Sequence, residues 1–351
     1  MDRLENIINR VKLPDYAIGQ EAQRRLDSLT KPQGSLGRLE DIAKQLCIIR
    51  GGAAKLAQPK PAAAVFAADH GVAAGGVSAY PQEVTQQMIY NFLAGGAGIN
   101  VLCRQAGADV WVIDVGVAGD MSQAQGLIQA KVAHGTADMT KGPVMTMNQA
   151  LDAIVVGAQT AQRLIEKGYD LLIPGEMGIG NTTPCSAITA VICGLRPEQV
   201  MGRGTGVDDA GLSRKLAALK TALDVNKPDP ANPLEVLCKV GGLEIAAMCG
   251  YILEAAARGV PVMLDGFIST TAALVAGGLC PTAIDYCFSG HGSVEIGHRA
   301  QLEKLGLRPI LTLEMRLGEG TGAAVAMNVL RAAVAIYSEM ATFAEAGVTG
   351  H

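Results

Sequence analysis

Aromatic side chains are scarce in this chain: one Trp, five Phe and seven Tyr account for 4% of 351 residues, while 49% are hydrophobic. A core with so few rings has to be packed from Ala, Val, Ile and Leu. The 43 glycines are scattered and form no tract, which excludes collagen-like and low-complexity architectures. No block of Lys and Arg stands out and the formal net charge is −4, so a nucleic-acid partner, which needs a concentrated positive surface, is not expected. No apolar run suits a bilayer: the longest, Val260 to Cys280, is interrupted by Asp265, Ser269, Thr270 and Thr271, and no membrane span is expected. The opening Met1-Asp2-Arg3-Leu4-Glu5-Asn6 mixes acids into what would be a basic leader, so no secretory signal is expected. None of the eight cysteines forms a C-x-x-C pair, and buried free thiols in a reducing cytoplasm are the expected state.

What the chain does have is a repeated grammar of short apolar run, polar glycine-rich loop and Ala/Leu-rich stretch, which predicts a parallel sheet with crossover helices. The clearest runs are Ala62–Ala68, Val110–Ile113, Leu171–Ile173, Val260–Leu264 and Pro309–Leu313, apolar on both alternating faces as in a covered sheet. The expectation is an α/β fold, a mostly parallel, Rossmann-like sheet flanked by helices. Loops follow the runs at Asp69-His70-Gly71, Asp114-Val115-Gly116, Gly175 to Thr183, Asp265 to Thr271 and Arg316 to Gly322. Ligands of such sheets bind at the carboxyl ends of the strands, so these loops are expected to converge on one site. Leu4, Ile7, Ile8 and Val11, then Leu39, Ile42, Ala43 and Leu46, fall at helical spacing, and Ala323 to Tyr337 reads as a third helix. Residues 1–58 and 323–351 are expected to form a small helical subdomain from both chain ends, beside a catalytic α/β domain of residues 59–322.

Gly175, Gly178 and Gly180, followed by Asn181, Thr182 and Thr183, turn a strand into a helix expected to begin near Pro184, with Thr or Asn as its cap. Such a terminus suits phosphate. Thr183 stands where G-x-G-x-x-G needs its third glycine, and no G-K-[ST] occurs, so spacing alone leaves phosphate binding and an ordinary tight turn both open. Glu176 and Glu319 each sit in a glycine-flanked loop at a strand end, where a buried carboxylate with a raised pKa makes a general base. The alternative, that each only bonds loop amides or caps a helix, also stands. Lys215 reads as a solvated surface charge on composition. His291 and His298 lack a third partner and the right spacing for a metal, so no zinc is expected. Asp208-Asp209 reads as a helix start.

The segment Leu29-Thr30-Lys31-Pro32-Gln33-Gly34-Ser35-Leu36-Gly37-Arg38-Leu39-Glu40 closely resembles the opening motif of the nicotinate-nucleotide–dimethylbenzimidazole phosphoribosyltransferase family. Ala68–Val72, Gly76–Ser78 with Gln87 and Met88, Gly175–Thr183, Gly202–Gly206, Asp265–Ala272 and Arg316–Gly322 look like further blocks of that family, and the resemblance runs through essentially the whole chain. It implies transfer of ribose 5-phosphate from nicotinate mononucleotide to 5,6-dimethylbenzimidazole, with inversion at C1′ and without a metal or cofactor. The products are α-ribazole phosphate, destined for the cobalamin nucleotide loop, and nicotinate. By resemblance Glu319 is the catalytic base and Glu176 supports it; Gly178, Gly180, Lys215 and Arg316 hold the phosphate. Asn181, Ser293, Asp265 and Gly266 are implied as further substrate contacts, and Val77, Ser78, Tyr80, Gln87 and Met88 as neighbours of the base pocket. The stretch Ser289 to His298 keeps the family's Ser and Gly-His endings but departs from its commoner forms, which leaves room for adenine or phenolic acceptors. The resemblance also implies a homodimer, or a heterodimer with a paralogue. Two other readings are a non-catalytic subunit, disfavoured by the presence of Glu176 and Glu319, and a dinucleotide-dependent oxidoreductase. The latter is disfavoured by the missing third glycine and the missing ribose-binding acid.

Overall fold

The computed structural model describes residues 1–349. Its centre is a seven-stranded sheet, all parallel, in the order β3-β2-β1-β4-β5-β6-β7. The strands are β1 (Pro61–Ala68), β2 (Asp109–Gly116), β3 (Ile128–Gln129), β4 (Leu171–Met177), β5 (Val262–Leu264), β6 (Cys287–His291) and β7 (Pro309–Leu311). Helices α1 (Asp2–Arg10), α2 (Ala17–Ser28) and α3 (Arg38–Arg50) precede the sheet, and α4 (Glu83–Leu93) and α5 (Gly98–Ala106) link β1 to β2. Between β3 and β4 runs α6 (Met147–Glu166); α7 (Thr182–Cys193), α8 (Asp209–Asn226), α9 (Pro233–Val240) and α10 (Leu243–Ala257) lie between β4 and β5. Then come α11 (Phe267–Leu279), α12 (Ile296–Leu305), α13 (Thr321–Glu339) and the short α14 (Phe343–Ala346). From β1 the chain builds outward to β2 and β3, then restarts at β4 on the other flank. The strand order therefore reverses between β1 and β4, which opens a crevice at their carboxyl ends.

All five expected runs are strands, with shifted limits. β5 starts at Val262 and not Val260, and β7 stops at Leu311 and not Leu313. β2 extends through Asp114-Val115-Gly116, so that segment is strand and not loop. Likewise Glu176 lies inside β4, paired opposite Phe66 of β1, and not in a loop beyond it. The parallel partner supplies ladder bonds that carry a Pro-Gly-Glu stretch past the point where its own composition would end a strand. β6, which was not among the expected runs, is buried at every position.

Helix packing depends on two glycines. α6 and α10 cross with backbones in contact: a methyl group on Gly157 would overlap the Ala247 carbonyl, and one on Gly250 would overlap the Ile154 carbonyl. α10 is buried along nearly its whole length because it lies between α6 and the sheet. α13 packs on β4, β6 and β7 as well as on α3 and α5, and Tyr337 Oη donates to the Ala53 carbonyl at 2.7 Å. Its length and apolar composition would suit a membrane span, but 56% of the relevant window is buried in this contact. We propose that the two chain ends form a helical subdomain continuous with the sheet's core; residues 350 and 351 of that expected division lie outside the described residues.

Candidate active site

A cavity of about 750 Å³ opens at the carboxyl ends of β4, β5 and β6, roofed by α4 and the segment before α13. Its wall includes ten of the residues singled out in the sequence: Tyr80, Met88, Glu176, Gly178, Asn181, Asp265, Gly266, Ser293, Arg316 and Glu319. Of the expected loops, Asp69-His70-Gly71 and Asp114-Val115-Gly116 do not line it; Tyr80, farther along the segment after β1, does. The Asp69 carboxylate accepts from the Ala118 amide at 2.8 Å, and buried Asp114 accepts from Val117 and pairs with Lys131 at 3.3 Å. These acids tie the β1 and β2 ends to one another and leave the cleft to the other flank.

Glu319 is held by contacts that no local pattern foretells. It is a non-glycine residue at φ +63°, between Gly318 at φ +87° and Gly320 at φ +100°, so a three-residue left-handed stretch presents it to the cavity. A side chain rarely occupies this region, and glycine on both sides makes the turn possible. Its Oε2 accepts from the Ile99 amide at the start of α5 at 3.0 Å. Its own amide donates to Glu176 Oε1 at 3.1 Å, while Glu176 Oε2 accepts from Asn181 Nδ2 at 2.5 Å. Asn181 stands at the N-cap position of α7, as expected, but its side chain bonds Glu176 and caps no amide; α7 begins at Thr182, two residues before Pro184. Gly175 is required beneath this pair, because a methyl group there would run into the Glu319 carbonyl.

Both carboxylates are shifted towards the protonated form. Burial is the main cause for Glu176, whose pKa is pushed up to about 8 against the lowering effect of its two donors, with the charges of Glu244 and Asp265 adding to the rise. Burial also raises Glu319, opposed by the Ile99 amide and reinforced by Asp265. Two acids with raised pKa values at one cleft are what proton abstraction near neutrality requires.

The cationic side of the site is equally built. Lys215, which composition alone suggested was solvated, is 1% exposed. Its Nζ donates to Thr182 Oγ1 at 2.8 Å from behind Gly204, where a side chain would block it. Burial brings its pKa down to about 8, while Glu295 acts to raise it. Arg316 Nη1 donates to the Gly204 carbonyl at 2.8 Å, so Arg316, Thr182 and Gly204 share one wall with Lys215 directly behind it. Ser293 lies across the cavity from the β4 turn, with its amide donating to His298 Nδ1 at 2.9 Å. Burial and the neighbouring His291 lower the pKa of His298 to about 3, so it stays neutral and serves as an acceptor. Among the described residues no group of three His, Cys, Asp or Glu is placed to hold a metal ion.

Five of the residues singled out lie off the wall. Gly180 and Lys215 form its backing, and Val77 is buried under the Gly180 turn. Ser78 Oγ bonds Thr205 Oγ1 at 3.2 Å, and through Thr205 it reaches the rim. Gln87 is exposed on α4, away from the cavity that Val84 and Met88 line. The cavity also takes in residues the sequence did not single out for it: Val84, Ile179, Phe267, Ile268, His291, Glu295 and Leu317. His291 was weighed only as a metal ligand, and Glu295 sat beside the expected contact Ser293 in a stretch that departs from the family's commoner forms; the burial of the Cys287–His291 strand was the missing signal.

A switch-point cleft with two buried carboxylates of raised pKa and Arg316 on its wall, backed by Lys215, suits an enzyme acting on an anionic substrate. In keeping with this, residues 11–348 match a family model described as phosphoribosyltransferase. The chain is 53% identical over 349 residues to the nicotinate-nucleotide–dimethylbenzimidazole phosphoribosyltransferase of Desulforamulus reducens, covering 99% of each. It is 52% identical, with the same coverage, to the protein of that name from Chlorobaculum tepidum. The crystal structure of CobT from Thermus thermophilus superposes with a TM-score of 0.92 at 49% identity, covering 95% of this chain and all of that one. The chain belongs to the nicotinate-nucleotide–dimethylbenzimidazole phosphoribosyltransferase family.

Proposed function

We propose that this enzyme transfers ribose 5-phosphate from nicotinate mononucleotide to 5,6-dimethylbenzimidazole in the cytoplasm, with Glu319 as the base. The observation that carries the reading is the placement of Glu319, with its pKa raised, in a cavity that also holds Arg316 and is backed by the buried Lys215. The donor is a pyridinium, so its C1′–N bond is already weakened. One nitrogen of the acceptor attacks C1′ while the C1′–N bond to nicotinate breaks, and the electron pair neutralises the pyridinium. The proton on the acceptor's other nitrogen passes to the Glu319 carboxylate. Attack opposite the leaving group inverts C1′ and gives the α-linked nucleotide. The protein's part is to hold both rings in line and to accept the proton. Tyr80, Val84 and Met88 supply apolar surface for a flat acceptor, and Glu176 keeps Glu319 in place through its amide.

The phosphate goes to the Lys215–Arg316 wall and the Gly178 turn. Lys215→Met is expected to raise the donor KM by roughly 10-fold or more, since hydrogen bonds to charged groups are worth ~1.5–3 kcal/mol. Because the pKa of Lys215 lies near 8, the wild-type donor KM rises as the pH passes through that value and the ammonium loses its charge. The methionine variant shows no such rise. A variant with an unchanged KM and the same pH dependence removes Lys215 from this role.

The decisive experiment mixes the purified chain with nicotinate mononucleotide and separate benzimidazole, adenine and phenol acceptors, with chelator present. Nicotinate release and the linkage of the product are read by mass spectrometry. Release with dimethylbenzimidazole and an α-N-linked product are expected; transfer only to phenols would change the acceptor, and dependence on phosphoribosyl pyrophosphate with magnesium would refute the donor. We propose a dimer as the working form, and native mass measurement in the same sample distinguishes one chain from two.

A further inference from the structure

The sequence suggests Asp265 as a substrate contact, yet its carboxylate is already engaged. Oδ2 accepts from the Gly320 amide at 3.2 Å, and Oδ1 accepts from the Gly322 amide at 2.6 Å and the Ala323 amide at 3.2 Å. His291 Nε2 lies 3.4 Å from Oδ1. These amides open α13, whose N-cap is Gly320 and has no side chain to cap with. Left alone, the first turn of a helix has unpaired N–H groups and a partial positive charge. Asp265, at the end of a different strand, meets both needs. The His291 ring is wedged between two glycines: a methyl group on Gly322 would overlap it, and one on Gly266 would come within 3.0 Å of Nε2.

We infer that Asp265, backed by His291, is a positioning residue for Glu319, holding the left-handed turn that aims the base instead of touching substrate. Consecutive amides of that turn donate to carboxylates of adjacent strands, Glu319 to Glu176 on β4 and Gly320 to Asp265 after β5. Releasing either lets a strained residue at φ +63° relax to an ordinary conformation, which swings its carboxylate out of line. The inference rests on the reading of Glu319 as base and adds what keeps it in register.

The charged and titratable groups sharing the wall around Glu319 are Asp265 after β5, Glu176 on β4, His291 on β6, Glu295 before α12, Tyr80 before α4 and Arg316 on its own segment; α5 contributes only an amide. Of these, Asp265 acts to raise the Glu319 pKa. Asp265→Asn keeps the shape and removes the charge, and its side-chain N–H group meets an amide donor of the turn. The expected result is a kcat lowered by roughly 10²-fold, the size associated with ångström-scale misplacement. The acid limb of the kcat/KM profile moves to lower pH, while the donor KM holds.

A direct substrate contact would instead raise KM and leave the limb in place, and a merely structural role would lower stability alone; either result overturns the inference. Glu319→Gln is assayed beside it. If that variant turns over like wild type, the base assignment fails and this inference with it. If it is inactive while Asp265→Asn keeps the wild-type kcat and limb, only the inference fails. Should Asp265→Asn not fold, amide hydrogen exchange of the wild-type chain decides. The Gly320, Gly322 and Ala323 amides must exchange as slowly as those in the middle of α13, and fast exchange at these three refutes the clamp.

Discussion

Glu319→Gln is expected to lower single-turnover nicotinate release by about 10²–10⁴-fold, or roughly 3–5 kcal/mol of barrier, the range for a positioned general base. The amide is nearly isosteric and its oxygen still accepts from Ile99, so the turn and the cavity survive. Stability is expected to hold or rise, because the buried carboxylate carries a desolvation penalty that its raised pKa records and the neutral amide escapes it. The sign of the pH dependence follows from the same shift. A base works only when deprotonated, so the wild-type rate climbs as the pH passes up through the raised pKa and then levels; in the variant this limb disappears. Wild-type turnover by the variant, or the same limb at a lower rate, would assign the proton to another group, with Glu176 the first candidate.

The second large effect concerns folding. Adding a methyl group at Gly157 or Gly250 places it on a carbonyl of the opposing helix, and a backbone cannot move aside as the tip of a side chain can. Overpacking a core by a methylene costs ~1–3 kcal/mol; here two long helices would have to separate, so Gly157→Ala or Gly250→Ala is expected to cost ~3 kcal/mol or more. Urea titration gives the value directly. Since both residues serve one crossing, the double variant should cost less than the sum of the singles, the separation having been made once. An unchanged midpoint for either single variant would mean that the helices do not approach this closely in solution.

The sheet was readable because apolar runs such as that of β1, buried at every position, recur before glycine-rich loops; the recurrence, and not any single run, separates strand from buried helix. β3 has two residues, one half-buried and one exposed, and β6 carries Ser, Gly and His, so neither has the composition of a strand; β6 is buried only because its neighbours enclose it. The acids of the site were visible because a Glu between glycines has nothing to pack against. Their partners were not, because Ile99 is 220 residues from Glu319 and an amide has no signature in a sequence. Lys215 shows the same limit: composition favoured a solvated lysine, while tertiary packing encloses it. Asp265 was noticed as important, but only the three amides of α13 show what occupies its oxygens.

α13 carries Glu319 at its head and is fastened at its foot. Arg25 donates to the Tyr337 carbonyl at 2.9 Å, Tyr337 to that of Ala53, and Ser338 to that of Leu56 at 2.8 Å. With 19 residues the helix is a rod roughly 28 Å long, pinned at one end by α2 and the segment after α3 and bearing the proposed base at the other. Loosening a pin would shift the tip, so substitutions at Arg25 or Tyr337, far from any ligand, would blunt turnover while nucleotide affinity stays intact.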